Sequence, residues 1–273
     1  MPRWYITAVI STMKKYLFML SALALLACSS CQKFAGEPVT QYFSVDGVYT
    51  ELQVEDAFDV TVSDTATLIT ITAGEYVMPN VVVETVDNTL KIYLKDWHTN
   101  LGADMTVIMP YNADLTSVDL SGAAEFHSEY GLFGEKVEVE LSGASDFYCD
   151  IDADEIDMNL SGASYVEGNI DASELDLDMS GASDVTLKGQ VTTLNIDLSG
   201  ASTIKKTVNG STYGFECDVC KGEMSGGCDA YIHCNSIIKV NLSGASELHF
   251  TGNAVADDST ASGGSEIIHE VNP

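Results

Sequence analysis

Apolar and polar residues alternate along most of the chain after residue 41, and the alternation returns in the same form about every 19 residues. In one copy of this pattern, Val139 and Leu141 flank Glu140, a Ser-Gly step follows, and the next apolar residue of the pattern is Phe147. Strict alternation predicts a strand with one buried face. Each copy of the pattern therefore predicts a strand, a glycine bend and a second short strand.

The Ser-Gly step occurs eight times, with successive serines 18 to 26 residues apart, and this regularity marks a structural repeat. We expect each glycine to supply the same backbone angle at the same bend, with φ above zero. The small residue after each glycine is expected to face a crowded interior corner. The serine hydroxyls are expected to bond along their row or to the backbone of the bend. The eight pairs are Ser121 and Gly122, Ser142 and Gly143, Ser161 and Gly162, Ser180 and Gly181, Ser199 and Gly200, Ser225 and Gly226, Ser243 and Gly244, and Ser262 and Gly263.

The length of the repeat selects the architecture. At ~3.3 Å per residue, a repeat of about 19 residues traces a path of roughly 60 Å, which fits a three-sided coil. A β-propeller blade needs about twice that length, and a leucine-rich repeat needs a helix or an asparagine ladder that this sequence lacks. The predicted fold class is therefore all-β, a parallel β-helix (solenoid) with about 19 residues per coil.

Residues 41–273 are predicted to form a single domain in two parts. Residues 116–273 contain the coils with the Ser-Gly steps. Residues 41–115 are rich in strand patterns punctuated by aspartate and glycine, but lack that step. They either form the first, irregular coils or cap an open end whose unpaired strand edges would invite aggregation.

Residues 1–27 have the pattern of a bacterial signal peptide, with two lysines before an apolar run that is too short to span a bilayer. Met13 is an alternative start of translation. The run ends in Leu-Leu-Ala-Cys, which resembles the lipobox of bacterial lipoproteins, so Cys28 is the predicted lipidation site and Cys31 the alternative. Residues 28–40 would then be a lipidated linker. The predicted location is the cell envelope, as an outer-membrane lipoprotein facing the periplasm or the surface.

Three segments together resemble a known family. They are FSVDGVYTELQVEDAFDVTVSD from Phe43, its continuation NTLKIYLKDW, and the ladder of Ser-Gly-Ala steps. They resemble the bacterial family called putative auto-transporter adhesin, head GIN domain, over roughly residues 41–250. The resemblance implies a right-handed β-helix on an exported, often lipidated protein, and an adhesive role that the family's name suggests. Between Ser199 and Ser225, seven extra residues and several cysteines depart from the simplest form of the pattern.

The chain is strongly acidic, with 41 aspartates and glutamates against 12 lysines and arginines. Removal of the leader would take away three basic residues and no acidic ones, and deepen the net charge to about −32. Such a charge repels nucleic acid, so no nucleic-acid partner is expected. Outward carboxylates stacked in rows could take up calcium, but a solvated acidic surface explains them without an ion, and no metal or other cofactor is predicted.

Six cysteines remain after one is assigned to lipid, and an exported protein occupies a compartment that permits disulfides. Cys217 and Cys234 are the candidate pair. Zinc binding by Cys217, Cys220, Cys234 and His233 is the alternative, and the spacing from Cys228 to Cys234 disfavours it.

No set of residues predicts catalysis. Asp146 and Asp184 lie in one predicted row and Asp257 adjoins Asp258, but these acids vary with the repeat as surface residues do. None of the repeated serines lies in a Gly-x-Ser-x-Gly elbow. Trp97 and His98 are predicted to lie on a loop, where the tryptophan could stack on a sugar or pin the loop. A strip for contact with a partner is predicted from the aromatic side chains Phe147, Tyr148, Tyr165 and Tyr231.

These observations predict a non-enzyme: an exported, lipid-anchored β-helix that acts as an adhesin or envelope interaction module. Its expected partners are the membrane, through the lipid, and a cell-surface glycan or protein, whereas its oligomeric state is left open. The alternative hypothesis is a β-helix that binds or cleaves glycans, as polysaccharide lyases and hydrolases do.

Overall fold

The computed structural model describes residues 35–45, 47–95, 104–209 and 212–271. Over these residues the chain is a parallel β-solenoid of strands that pair about 19 residues apart, so the predicted fold class is confirmed. The predicted signal peptide, Cys28, Cys31, Trp97 and His98 lie outside the described residues. No helix among the described residues is long and apolar enough to cross a membrane.

Long bent strands form the body of the solenoid, one for each coil. The first four are β9 (Glu125–Leu141), β10 (Asp146–Leu160), β11 (Tyr165–Met179) and β12 (Asp184–Leu198). Neighbouring strands are parallel, and each residue lies opposite its equivalent in the next coil, as in Asp146 opposite Tyr165. Because equivalent residues stack, one sequence pattern satisfies every coil. The column continues through β16 (Phe215–Met224), β17 (Asp229–Leu242) and β18 (Glu247–Thr251), with short strands β8 (Ser117–Leu120), β13 (Thr203–Ile204), β19 (Val255–Ala256), β20 (Thr260–Ala261) and β21 (Glu266–His269).

Each coil has three sides. The pairing of β10 with β11 shows them as three runs, at residues 146–148, 151–153 and 155–160 of β10. We call the side that follows each Ser-Gly step face A, the middle side face B, and the side that precedes the next Ser-Gly step face C. Along each face, buried apolar residues alternate with outward polar ones. The buried side chains form a single continuous core cluster.

The N-terminal strands extend the column below the first Ser-Gly step. Strand β2 (Glu51–Val54) pairs in parallel with β8, and β3 (Phe58–Ser63) pairs in parallel with β9. Between them, Asp56 takes the place of the corner glycine, with φ of 69°, and its carbonyl oxygen accepts a hydrogen bond from the Ala123 amide. Asparagine and aspartate tolerate this left-handed conformation better than most residues. Residues 51–63 therefore form a coil that the repeat motif does not reveal.

The end of the column is covered by further strands. Strands β6 (Thr89–Leu94) and β7 (Met105–Pro110) lie parallel to β2 and β3 and form the next coil down. Strands β4 (Ile69–Gly74), β1 (Pro38–Phe43) and β5 (Val81–Val86) then add antiparallel pairs, and a short 3-10 helix spans Met78–Asn80. The N-terminal region thus contains irregular coils and a cap, the two arrangements that the sequence left open.

The repeated glycines adopt the positive φ that the repeat predicts, with values from 76° to 92°. A Cβ atom on Gly162 would lie 2.3 Å from the carbonyl oxygen of Gly143 in the coil below. The amide of Ala163 donates to that same oxygen at 2.7 Å. The glycine is therefore required twice, by its backbone angle and by the close approach of the stacked corners.

The residue after each glycine does not face the interior. Ala123, Ala144, Ala163 and Ala182 are all exposed, so the expectation of a crowded interior position is wrong. The backbone amide at this position donates to the corner below, as Ala163 does to Gly143, and the side chain lies toward solvent.

A second serine, three residues after the first, occupies the interior instead. Ser164 is buried, and its hydroxyl donates to the carbonyl oxygen of Ser161 at 2.7 Å, which closes the bend. The first serine bonds to the coil below, as the Ser161 hydroxyl donates to the Leu141 carbonyl oxygen at 3.3 Å. Buried hydroxyls need such partners. The same buried position is held by Ser145, Ser183, Ser202 and Ser246, and by Cys228 in one coil.

The extra residues between Ser199 and Ser225 fold into an antiparallel pair, β14 (Val208–Asn209) and β15 (Thr212–Tyr213). Beyond it, β16 pairs directly with β12, so the insertion leaves the register of the column intact. The insertion also brings Tyr213 beside Tyr231 of the next coil, with ring centroids 5.8 Å apart.

Candidate functional site

Face A carries the most varied outward side chains of the described coils, in two parallel rows. Each coil contributes one residue to each row, two positions apart. We call the first row the carboxylate row and the second the ring row. The carboxylate row comprises Asp59, Glu125, Asp146, Tyr165, Asp184, Thr203, Asp229, Glu247 and Glu266, and the ring row comprises Thr61, His127, Tyr148, Glu167, Thr186, Lys205, Tyr231, His249 and Ile268.

The predicted aromatic contact strip is only partly present. Tyr148, Tyr165 and Tyr231 lie on the outer side of face A, whereas Phe147 is buried in the core and its assignment to the strip is wrong. Strand alternation explains the error, because Phe147 adjoins Tyr148 and must face the opposite way.

The rings of face A stack along the axis of the column. His127 lies parallel to Tyr148, with centroids 4.4 Å apart, and Tyr231 stacks on His249 at 4.6 Å. Tyr148 and Tyr165 are tilted, with centroids 5.7 Å apart. Stacked rings cover one another's faces and present their edges to solvent. A partner would therefore contact hydroxyl groups and ring nitrogens on this part of the surface, and not a flat apolar ring face.

A groove of about 750 Å³ runs beside the ring row, toward face B. A bulge in β9 helps to form it, since the pairing of β9 with β10 shifts register between Cys149 and Ile151. Most of the residues that line it have polar side chains, and apolar surface lies between them. The side chains that border it include His127, Tyr130, Tyr148, Asp150, Glu167, Asn169, Thr186 and Lys188.

Lysines neutralise part of the acidic surface. The Lys205 ammonium lies 2.9 Å from an Asp184 carboxylate oxygen and 4.8 Å from the centre of the Tyr165 ring. On face C, Lys136 bonds carboxylates in its own coil and the next, and its pKa is raised, chiefly by its hydrogen bond to Asp157. These exposed pairs contribute little stability, but they reduce the repulsion between stacked acids.

Face C presents a second, more strongly acidic groove of about 460 Å³. Burial, followed by the charges of neighbouring carboxylates, raises the pKa of Asp119 and of Asp178. A carboxyl group whose folded pKa is raised destabilises the fold at pH above that pKa, and the cost disappears as the pH falls below it. The groove is lined by Asp119, Glu140, Asn159, Asp178 and Asp197, together with the first serines of the repeat.

The cysteines near the insertion are buried free thiols in the described chain. Cys217 and Cys234 lie directly opposite each other on β16 and β17. Both are free thiols here, and the disulfide between them stays a prediction. His233 points away from its neighbour Cys234, and its Nδ1 lies 2.8 Å from the Thr251 hydroxyl. The alternative zinc set of Cys217, Cys220, Cys234 and His233 therefore does not converge among the described residues.

Two of the acids considered for catalysis are paired with lysines. Asp146 and Asp184 do lie in one row, with Tyr165 between them, and Asp184 is bound by Lys205. Asp257 is 3.7 Å from the Lys239 ammonium. Sequence reasoning missed the relation between Asp59 and face A, because Asp59 joins the carboxylate row only through the non-sequential order of the N-terminal coils.

The fold and its surfaces define a class of protein, a capped parallel β-solenoid with an acidic exterior and a polar groove along one face. The chain belongs to the family described as putative auto-transporter adhesin, head GIN domain, whose model matches residues 48–254. The family predicted from the sequence is thus confirmed. A comparison with curated proteins finds no match.

Solved structures of other bacterial proteins share the fold, and three of them show the range of similarity. A putative adhesin from Parabacteroides merdae is 17% identical, with a TM-score of 0.75, over 86% of this chain and 97% of that one. A putative adhesin from Parabacteroides distasonis is 19% identical, with a TM-score of 0.68, over 86% and 95%. A putative lipid binding protein from Parabacteroides distasonis is 18% identical, also with a TM-score of 0.68, over 86% and 97%. At these identities the likeness extends to the fold alone.

Proposed function

We propose that the protein is an exported, lipid-anchored and non-catalytic β-solenoid that acts as an adhesive module of the cell envelope. The observation that carries the proposal is the match to an adhesin family over residues 48–254. The leader and the lipobox-like Leu-Leu-Ala-Cys support export and anchoring. Cys28 lies ten residues before β1 (Pro38–Phe43), so a short tether would join the rigid column to the membrane.

The groove of face A is the surface we assign to the partner. Its lining departs from the repeat, whereas the rows of face C mostly repeat the same acids. Hydroxyl, amide, carboxylate and ammonium groups lie together along it, as in Tyr130, Asn169, Asp150 and Lys188. Such a set suits a polar, extended partner bound by hydrogen bonds, either a cell-surface glycan or a protein segment.

An array of glycans and envelope proteins, probed with the mature chain, tests this assignment. We expect Lys188→Glu, which reverses a charge in the groove, to reduce binding of the partner found on the array. The matched control is Lys221→Glu on face C, which changes the same charge on an exposed lysine and should leave binding unchanged. Equal loss in both variants would show that net charge, and not the groove, governs binding.

Glycan cleavage is the second candidate, favoured by the groove and by the row that contains Asp146 and Asp184. The non-catalytic proposal expects no new reducing ends or unsaturated products when the mature chain is incubated with polysaccharides. Reproducible turnover that Asp184→Ala abolishes would contradict it.

The anchor makes a separate prediction. In a Gram-negative host, the full chain is expected to appear in the membrane fraction with acyl chains on Cys28, because two or more chains hold a protein stably at a bilayer. Cys28→Ala should move the protein to the soluble fraction or leave it unprocessed, whereas Cys31→Ala should not. Mass spectrometry of the N-terminal peptide makes the assignment. If the lipid were lost in Cys31→Ala and kept in Cys28→Ala, Cys31 would be the lipidated residue.

A further inference from the structure

Three side chains with metal-binding atoms meet on face A near the capped end of the column. Asp59 of β3 lies directly opposite Glu125 of β9, and His127 follows two residues later on the same side of β9. The ligand atoms of the three side chains all lie within 4.8 Å of one another. The Nε2 atom of His127 is 3.2 Å from a Glu125 carboxylate oxygen. No other group of three or more such side chains within the described residues is as close.

Lysines pair with acidic side chains at other places on and beside face A. Asp184 has Lys205 as a cationic partner, and Glu270 has Lys206. In the part of the chain that the structure describes, the ion pair at Glu125 is with His127 alone. The row continues to Asp146, which lies directly opposite Glu125 in the next coil, so that like charges are stacked there. A bound cation would relieve this repulsion between neighbouring carboxylates.

The three side chains are also accessible. The side chains of His127 and Glu125 are 40% and 46% exposed, and Asp59 is exposed. His127 and Thr61 border the groove of face A, so an ion held here would have open space on its outer side. The stacking of His127 on Tyr148 fixes the plane of the imidazole ring, which limits the entropy lost when the ring binds an ion.

We propose that Asp59, Glu125 and His127 form a binding site for a divalent transition-metal ion, with Zn²⁺ the best match. One imidazole nitrogen and two carboxylate oxygens are donors that zinc accepts. Calcium takes about six to eight oxygen ligands, which this set does not supply. Three protein ligands leave a coordination position for water or for a donor group from a partner in the groove. The site goes beyond the proposed adhesive function and does not depend on it.

Isothermal titration of the untagged mature chain with Zn²⁺, after removal of metals with a chelator, tests the site. We expect one ion per chain at this site, and loss of that binding in His127→Gln and in Glu125→Gln. The matched control is His249→Gln, since His249 has the same Glu-x-His spacing but both ring nitrogens already lie 3.0 Å from carboxylates of Glu247 and Glu270. Zinc binding should be unchanged in this control.

The outcomes separate the site from general cation uptake. Absence of zinc binding by the unaltered chain, or binding that persists in both His127→Gln and Glu125→Gln, would overturn the proposal. Loss of binding in His249→Gln alone would also overturn it and place the ion in the other cluster. Circular dichroism checks that each variant is folded, and Asp59→Asn replaces any variant that is not. Titration with Ca²⁺ is expected to be insensitive to His127→Gln, because calcium does not select an imidazole ligand.

Discussion

Gly162→Val is expected to reduce the free energy of unfolding by about 2 to 6 kcal/mol. A non-glycine residue at positive φ costs about 1–3 kcal/mol, and forcing extra atoms into a packed position costs about as much again. Here φ is 81°, and the added Cβ would lie 2.3 Å from the carbonyl oxygen of Gly143. That oxygen belongs to the backbone and accepts the hydrogen bond of Ala163, so it cannot move without disturbing the corner below. Urea unfolding followed by circular dichroism measures the change.

The control comes from the same kind of corner. Gly227 stands where most other repeats have alanine, and a Cβ atom added there would have no heavy atom within 4 Å. Gly227→Ala should therefore change the free energy of unfolding by no more than about 0.5 kcal/mol. If Gly162→Val and Gly227→Ala had equal effects, the close approach of stacked corners would not be what requires the glycine.

Phe147→Ala is expected to cost about 3–5 kcal/mol, the usual range for removing a buried phenylalanine ring. Phe147 is fully buried and stacks on Phe126 of the coil below, with centroids 5.4 Å apart and ring planes 12° apart. The cavity would lie inside the column, where the surrounding strands are held by backbone pairing on both sides. The residues around the cavity would therefore close it only partly, and the loss in the free energy of unfolding would include the cost of the cavity that remains.

The adjacent residue provides the comparison. Tyr148→Ala removes a ring of similar size from the outer side of face A, where its stacking on His127 is a cross-strand contact worth no more than about 1 kcal/mol. Thermal or urea unfolding of the two variants should rank Phe147→Ala as much the less stable. Equal losses would contradict the assignment of Phe147 to the core and Tyr148 to the surface.

The coils with Ser-Gly steps could be predicted from the sequence because stacking forces equivalent positions to be alike. The glycine angle, the inward rows and the parallel register all follow from one repeated corner. The orientation of the alanine after the glycine did not follow, since its small size fits either side of a bend. The distinction lies in backbone hydrogen bonds, which place the Ala163 amide toward the coil below. A closer signal was available in the second serine, which is present in six of the eight repeats, with Ala124 and Cys228 in the other two.

The N-terminal coils could not be predicted in detail because their order along the column differs from their order in the chain. Strand β2 lies between β6 and β8, and β3 lies between β7 and β9. No motif marks the corner at Asp56, where an aspartate replaces the glycine. The candidate metal site could not be predicted for the same reason. Asp59 reaches Glu125 and His127 only through this arrangement, and spacing along the sequence gives no indication of it.

Successive corners of the solenoid lie directly on one another in parallel register. Scalar couplings across hydrogen bonds, measured by NMR on the deuterated mature chain, test it directly. We expect a coupling from the Ala163 amide to the Gly143 carbonyl, and from the Ala182 amide to the Gly162 carbonyl, the two bonds of 2.7 Å that join three consecutive coils. Couplings from these amides to other residues, or a pattern of antiparallel pairs across the Ser-Gly corners, would contradict it.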